Sequence, residues 1–381
     1  MVVAATGREE VLFARDIGAT LLSQCIECHG ERNPRAELSM NTFNRLARGG
    51  ESGPVLAPGQ SDESLLIQKL RGTAGERMPL DRTPLSNEVI AKIAKWIDLG
   101  AKYDGSDPAA SLEEAVALAT ARGSTHDDLS RSRAELAAKN WRLILPDVPP
   151  NQESTSNVLL VGSVSPEVLA DVGRLADEQA TRLRKAFKLA ADEPLVKGRL
   201  TLYVFDKRYD YGEVGTMLES REIPSAWRGH WRFTGADAYG CVLLSGERAQ
   251  SGVVAQVMAG AYVASLGKIP RWFADGSGRA LAARLDAKDA RVKLWDDQVP
   301  RILGSTEKPE GFLTASLPAE DNDILSYSYA KYLMSASARY SALIAALQQG
   351  AAFEQAFTKN FGATPSQVVA QWLPKAGKRG R

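Results

Sequence analysis

At 381 residues the chain is too long for one small domain, and domain-size priors predict two or three. Its 47 basic and 46 acidic residues leave a formal charge of +1, which argues against both a nucleic-acid footprint and a polyanionic surface. Hydrophobic residues make up 44%, enough to bury substantial cores, yet no apolar run approaches the roughly 18 residues of a membrane span.

Residues 8–24 carry Val11, Leu12, Ile17, Leu21 and Leu22 at helical spacing and run straight into Cys25-Ile26-Glu27-Cys28-His29-Gly30. This is C-x-x-C-H, the attachment pattern of a c-type haem. Two thiols two residues apart on a turn of helix can both form thioethers with the haem vinyl groups, and the histidine that follows is placed to ligate iron. A bare C-x-x-C also suits a redox dithiol or half a zinc site. His29 argues against both, and no second C-x-x-C completes a four-cysteine site. Cys241 is left without a partner, and its setting in Gly240-Cys241-Val242-Leu243-Leu244 predicts a buried apolar thiol.

Residues 30–64 are rich in Gly, Pro, Ser and Asn and read as loops with short helices. Ser61-Asp62-Glu63-Ser64 predicts a capped helix start before Leu65-Leu66-Ile67, and Gly75 to Leu80 a loop. Ser86 opens a further helix, with Val89, Ile90, Ile93, Trp96 and Ile97 on one face and Gly100 as its stop. Thioether sulfur is a soft ligand for haem iron. Met40 lies eleven positions after His29, close for a chain that must cross to the opposite haem face, whereas Met78 follows a long loop and is stiffened by Pro79. His126, His230 or no distal ligand are the alternatives.

The pieces from Leu21 to Tyr103 resemble the cytochrome c domains abundant in planctomycete bacteria, over about residues 8–104. The likeness is carried by Cys25-x-x-Cys28-His29-Gly30, Gly49-Gly50-Glu51-Ser52-Gly53-Pro54 with Pro58-Gly59, Glu63-Ser64-Leu65-Leu66, Arg77-Met78-Pro79 and Trp96-Ile97-Asp98-Leu99-Gly100-Ala101. The resemblance implies one covalently attached haem c on Cys25 and Cys28, with His29 as proximal and Met78 as distal iron ligand.

Residues 105–156 read as a helical connector, with a helix from Leu112 to Ala121, a helix cap at Thr125-His126-Asp127-Asp128, and a Pro/Asn/Ser-rich boundary from Pro146 to Ser156. Strands are predicted at Val158–Val161, Leu200–Phe205 and Val242–Leu244, and a long helix from Pro166 to Lys188. Gly252 to Leu266 carries no charge and predicts a helix buried on every side. His230, beside Trp231, reads as a packed loop histidine or a neighbour of the haem.

The order of elements over 157–374 resembles the gluzincin metallopeptidases, through Pro270-Arg271-Trp272-Phe273-Ala274-Asp275-Gly276, Tyr327 to Leu333, and Phe361-Gly362 to Trp372. The H-E-x-x-H motif of that family is missing. Its positions hold Gln256, Val257 and Gly260, and Asp275 alone keeps an acid at the third-ligand position. Two histidines one turn apart are needed to hold zinc and a glutamate to activate water, so neither zinc nor zinc peptidase activity is expected. Gln256, Gly260 and Asp275 then either line a vestigial cleft that binds a peptide without cutting it, or are hydrogen-bonded core groups.

The expected fold is mainly α with a smaller α+β part: a cytochrome c domain over 1–104, the connector over 105–156, a gluzincin-like pseudo-peptidase domain over 157–374 and a basic tail over 375–381. The opening Met-Val-Val-Ala-Ala carries no signal peptide, whereas haem attachment of this kind takes place outside the cytoplasm. A periplasmic or otherwise exported protein with its signal removed is therefore expected. The expected function is one-electron transfer to redox protein partners, with the second domain docking a partner or peptide. A haem enzyme, a gas sensor with a labile distal ligand, or a redox-switched peptide-binding module is the alternative.

Overall fold

The computed structural model describes residues 11–376, save Asn33, Ser106 and Glu247. The first residues of the helix expected from 8, and the basic tail beyond Ala376, lie outside the described residues. Two compact units divide the chain, Met1–Ser124 and Thr125–Arg381. The chain is mainly α, and its single described sheet has five strands of mixed direction, all in unit 2. Among the described residues no helix is long and apolar enough to cross a membrane.

Unit 1 begins with a π-helical turn, Phe13–Ile17, which leads into α1 (Gly18–Gln24) and α2 (Ile26–His29). After a loop come α3 (Phe43–Arg48), α4 (Leu65–Arg71), α5 (Asn87–Asp98) and α6 (Leu112–Gly123). The periodic face of α5 buries Ile90, Ile93, Trp96 and Ile97, and the Ser86 hydroxyl accepts from the Val89 N–H as its N-cap. Phe13, Phe43, Trp96 and Tyr103 form one aromatic cluster, with Phe13 edge-on to Phe43 at 5.0 Å. Asp98 has a structural task, accepting from the Ser61 N–H at 2.8 Å and from its hydroxyl.

Helix α6, expected in a connector, packs on unit 1: Leu112 is buried, and its N–H donates to the Asn41 carbonyl at 2.7 Å. The helix expected to start after Ser61–Ser64 does begin at Leu65, but no side chain caps it. Residues Ser61–Glu63 make a 3-10 turn, and the Ser64 hydroxyl accepts from the Ala57 N–H instead of capping α4. The short serine side chain serves the nearer loop amide, which would otherwise be orphaned.

Unit 2 opens with α7 (His126–Ile144), capped by the Thr125 hydroxyl on the Asp128 N–H. Its Arg133 is 2% exposed and donates to the carbonyls of Lys197, Arg199, Gly235 and Ala236, which binds the helix to the body of the unit. The sheet follows with β1 (Asn151–Ser154), β2 (Val158–Gly162), β3 (Leu200–Phe205), β4 (Gly229–Phe233) and β5 (Ala238–Leu243), in the order β1-β2-β3-β5-β4. The β2–β3 and β3–β5 pairs are parallel, whereas both edge strands are antiparallel to their neighbours. Helix α8 (Pro166–Phe187) crosses over between β2 and β3, and α9 (Arg208–Val214) follows β3.

Alternation along the strands divides the core. Leu200, Leu202 and Val204 face the layer built on α8 and α10 (Ser251–Ser265), while Tyr203 and Phe205 face α7, where Trp141 stacks on Phe205 at 5.7 Å. Helix α10 is buried from Gly252 to Val263 and lies against α11 (Arg271–Leu285). Gly278 permits that approach, since a Cβ there would sit 2.7 Å from the Gln256 carbonyl oxygen. The remaining helices, α12 (Ala290–Ser305), α13 (Ala319–Ser335), α14 (Ser337–Gln348), α15 (Phe353–Phe361) and α16 (Pro365–Ala376), complete the α layer.

Two strands escaped the sequence reading. β1 forms inside the stretch expected as a domain boundary, and every one of its residues is exposed, so it rests on backbone pairing and leaves no apolar pattern. β4 places His230 on a buried strand rather than in a loop. Gly229 interrupts the pattern there, where a Cβ would press on the Cys241 carbonyl and Val253.

Candidate functional site

The side chains of Cys25, Cys28, His29 and Met78 line one cleft of unit 1. Its empty space, mouth included, is about 1160 Å3, at or above the top of the ~300–1,000 Å3 range in which proteins hold cofactors. The apolar walls come from Leu38, Met40, Val55, Leu65, Leu66 and Leu70.

Cys25 caps the end of α1 and starts α2, so the two thiols stand on one helical turn. Both are free, and burial pushes the Cys25 thiol up to about 11. The His29 ring is oriented from behind. Its Nδ1 lies 3.1 Å from the Leu38 carbonyl oxygen. A carbonyl can only accept, so Nδ1 carries the proton and Nε2 keeps its lone pair for a metal. The His29 carbonyl accepts from the Met40 N–H at 2.7 Å, which holds Met40 to the histidine's stretch of chain. Met78 is anchored differently, its N–H donating to the Lys69 carbonyl of α4 at 2.9 Å. The Arg82 guanidinium pairs with Glu27 between the two thiols and so ties the methionine loop to the C-x-x-C-H turn. Two thiols on one turn, an imidazole with a free Nε2, a thioether from another loop and apolar walls are a donor set that fits a covalently held haem.

The loop Gly49–Pro54 closes part of the wall. Gly49 and Gly53 adopt φ of 85° and 90°, and Gly50 and Gly53 exchange backbone hydrogen bonds at 2.9 and 3.1 Å. That tight turn requires glycine at both positive-φ positions.

In unit 2 the three residues singled out by position are all engaged with protein groups. The Gln256 side-chain oxygen accepts from Arg291 Nη1 at 2.8 Å. Gly260 lies under the Trp231 indole, into which a Cβ would drive. Asp275 pairs with Arg271 at 2.5 Å, and that guanidinium lies over the Trp231 ring at 4.1 Å. Gly260 and Asp275 are thus joined through Trp231 and Arg271, whereas Gln256 turns toward α12. Among the described residues no group of three His, Cys, Asp or Glu side chains could hold a metal ion.

A polar cluster on the sheet was not legible in the sequence. His230 Nδ1 meets the Tyr211 hydroxyl at 2.8 Å and Nε2 meets Glu219 at 2.9 Å. The same carboxylate accepts from the Tyr239 hydroxyl at 2.7 Å and pairs with Arg221 at 2.5 Å. Burial alone would raise Glu219, but the hydrogen bonds donated by the His230 ring and the Tyr239 hydroxyl and the Arg221 guanidinium beside it outweigh burial and hold the carboxyl below its ordinary range. Burial pushes His230 below its usual value against the pull of Glu219. A neutral imidazole, accepting from Tyr211 and donating to Glu219, satisfies every group. Cys241 is a buried free thiol, and His126 accepts from the Gly198 N–H at 3.1 Å.

Arg35, Lys69 and Arg82 also line the unit 1 cleft and were not singled out from the sequence. For Lys69 a signal existed, since it sits four residues after Leu65 on a helix whose Leu66 and Leu70 are core. Residues 25–80 match the planctomycete cytochrome C family, and no curated protein matches the chain. The matched stretch contains both cysteines, His29 and Met78, and lies wholly within unit 1.

Proposed function

We propose that unit 1 is a monohaem c-type cytochrome domain that carries one electron at a time between redox proteins outside the cytoplasm. The observation that supports this most is the convergence of Cys25, Cys28, His29 and Met78 on one apolar cleft. When bound, haem c supplies an iron that alternates between ferric and ferrous. In this reading Cys25 and Cys28 would hold the group covalently, and His29 Nε2 and the Met78 thioether would be its two protein ligands. The Leu38 carbonyl holds the histidine tautomer, and the apolar walls exclude water. With both ligands supplied by protein, the iron would favour electron carriage over substrate chemistry.

For the second part of the chain the reading is a zinc-free, peptidase-like scaffold over 157–374 that docks a redox partner or peptide. Its support is the buried α10 followed by α11, with glutamine and glycine where a zinc helix carries histidines.

Absorption spectra of ferric and ferrous protein, beside Met78→Ala, test the reading. A weak far-red ferric band in the wild type, lost in the variant, is the expected outcome. Absence of that band together with free carbon monoxide binding to the reduced protein would replace it with a haem enzyme or gas sensor.

A further inference from the structure

The unit 1 cleft is electrostatically lopsided. Three cations line it, Arg35, Lys69 and Arg82, and among the described residues no carboxylate does. Arg82 is already paired with Glu27. Arg35 and Lys69 have no partner of their own among the described residues. Arg35 is exposed and Lys69 half-buried, and with no carboxylate in the cleft wall both leave bonding capacity open toward an anionic ligand.

The backbone invests in placing both. Arg35 is followed by Ala36 and Glu37 at φ of 52° and 56°, the left-handed region that L-residues rarely adopt. Such a conformation persists only where the surroundings impose it. Here the Ala36 carbonyl accepts from the Glu51 N–H at 2.8 Å, and Gly50 leaves room beneath it, where a Cβ would come within 2.5 Å of the same oxygen. Lys69 sits on α4 beside the buried Leu70, and its own carbonyl is the one that anchors the Met78 N–H.

We propose that Arg35 and Lys69 are positioning residues for the two carboxylate arms of the haem assigned to this cleft, an inference that rests on that assignment. Two uncompensated cations match the two propionates of a ring that is otherwise flat and apolar. Arg35 presents a planar fork suited to a carboxylate, and Lys69 a compact point charge. The remaining titratable or charged groups lining the cleft are Cys25, Cys28, His29 and Arg82, of which the first two are consumed by attachment and the last is paired. The two cations therefore keep the propionates ionised through the neutral pH range and hold the charge near the iron constant.

The test uses the full chain as wild type, Arg35→Gln, Lys69→Gln, the double variant and Lys69→Arg. Haem content is measured as the pyridine haemochrome, and the midpoint potential from pH 5 to 8. The expected wild-type potential is flat across this window. Each glutamine variant should show a potential that falls as pH rises, because a propionate freed of its cation protonates within the window and its ionisation adds negative charge beside the iron. The slope should be greatest in the double variant, and Lys69→Arg should restore the flat profile. Profiles superimposable on the wild type, with only the salt dependence of electron exchange altered, would overturn the proposal and make these cations a docking surface for an anionic partner. A wild-type protein without haem would overturn the assignment of the cleft itself, so the two failures are separable.

Discussion

In the cleft of unit 1, among the described residues, the thiols of Cys25 and Cys28 are free, one His29 ring nitrogen has no hydrogen-bond partner, and Arg35 and Lys69 make no ion pair. In unit 2 the residues matched by position and their polar neighbours hold one another, although buried atoms elsewhere in it, such as Gln179 Nε2 and Thr201 Oγ1, have no hydrogen-bond partner among the described residues. Asp275 is held by Arg271, Asp323 by Arg279, Gln256 by Arg291, Ser277 by Tyr340, and Glu219 by His230, Tyr239 and Arg221. A group that is to bind something must leave bonding capacity open, while a group that serves the fold spends it internally. The same residue types thus mark a site in one unit and a framework in the other. Burial alone does not separate them, since Cys25 and Asp275 are both largely withdrawn from water.

The largest test of this contrast is Glu219→Gln. It leaves Arg221 without its carboxylate and weakens the acceptor for His230 and Tyr239. Breaking a buried pair costs about 3–5 kcal/mol, and the low end is expected because Arg221 is about one-third exposed and water takes up part of its charge. Chemical denaturation of the full chain reads the loss. The pH dependence carries a definite sign. Glu219 has a lowered folded value, so its contribution is present above the unfolded value of ~4.3 and is lost as pH falls below it. His230 is also lowered, so its contribution is present above ~6.5 and declines as pH falls. Asp323 works in the opposite direction: burial raises it to about 6, so its cost at neutral pH is relieved on acidification. That relief is common to wild type and variant and cancels in their difference. Glu219 pulls His230 upward, so the variant loses more than the wild type as pH falls through ~6.5, and the gap between them should widen from pH 7 toward pH ~5 and narrow below pH ~4. A cost under about 0.5 kcal/mol, flat with pH, would show that the cluster does not hold unit 2 together.

How much of this was legible follows from the same distinction. C-x-x-C-H, the Arg77-Met78-Pro79 loop and the amphipathic α5 are local patterns, and each appears in the structure on the element expected for it. The charge-free α10 announced its own burial. The Glu219–His230–Tyr211–Tyr239 cluster had no local signal, because its members come from three separate segments and meet only once β4 pairs with β5. β1 was silent because an exposed edge strand is held by backbone hydrogen bonds alone. Arg35 was silent for another reason: an exposed arginine in a loop reads as solvated until the cleft beside it is seen to hold no carboxylate.

A middle-sized test asks whether the space at Gly260 is closed by packing. Glycine inside a helix is ~0.5–1 kcal/mol worse than alanine, so Gly260→Ala would stabilise α10 if nothing stood in the way. The Trp231 indole stands there, sandwiched between Gly260 and Arg271. Overpacking of this kind costs about 1–3 kcal/mol, and a fall in melting temperature is expected. Gly304, in α12 with nothing within 4 Å of an added Cβ, is the control and should gain stability from the same change. If Gly260→Ala also stabilises, the layer has room to spare and its likeness to a filled site fails.

The smallest effect is expected at Arg82, and it sharpens the comparison because Arg82–Glu27, like Glu219–Arg221, joins a carboxylate to a guanidinium. The Arg82 and Glu27 side chains are 37% and 72% exposed. Water and salt therefore screen the pair, and its contribution should lie within about 0–1 kcal/mol. A double-mutant cycle of Arg82→Gln with Glu27→Gln, followed by denaturation at low and at molar salt, isolates that coupling. The expected coupling is under 1 kcal/mol at low salt and absent at high salt. A value of 2 kcal/mol or more that survives salt would mean the bridge between the methionine loop and the C-x-x-C-H turn is as firmly built as the buried cluster of unit 2. The cleft would then be a prestressed framework in its own right, and open bonding capacity would no longer be what sets it apart.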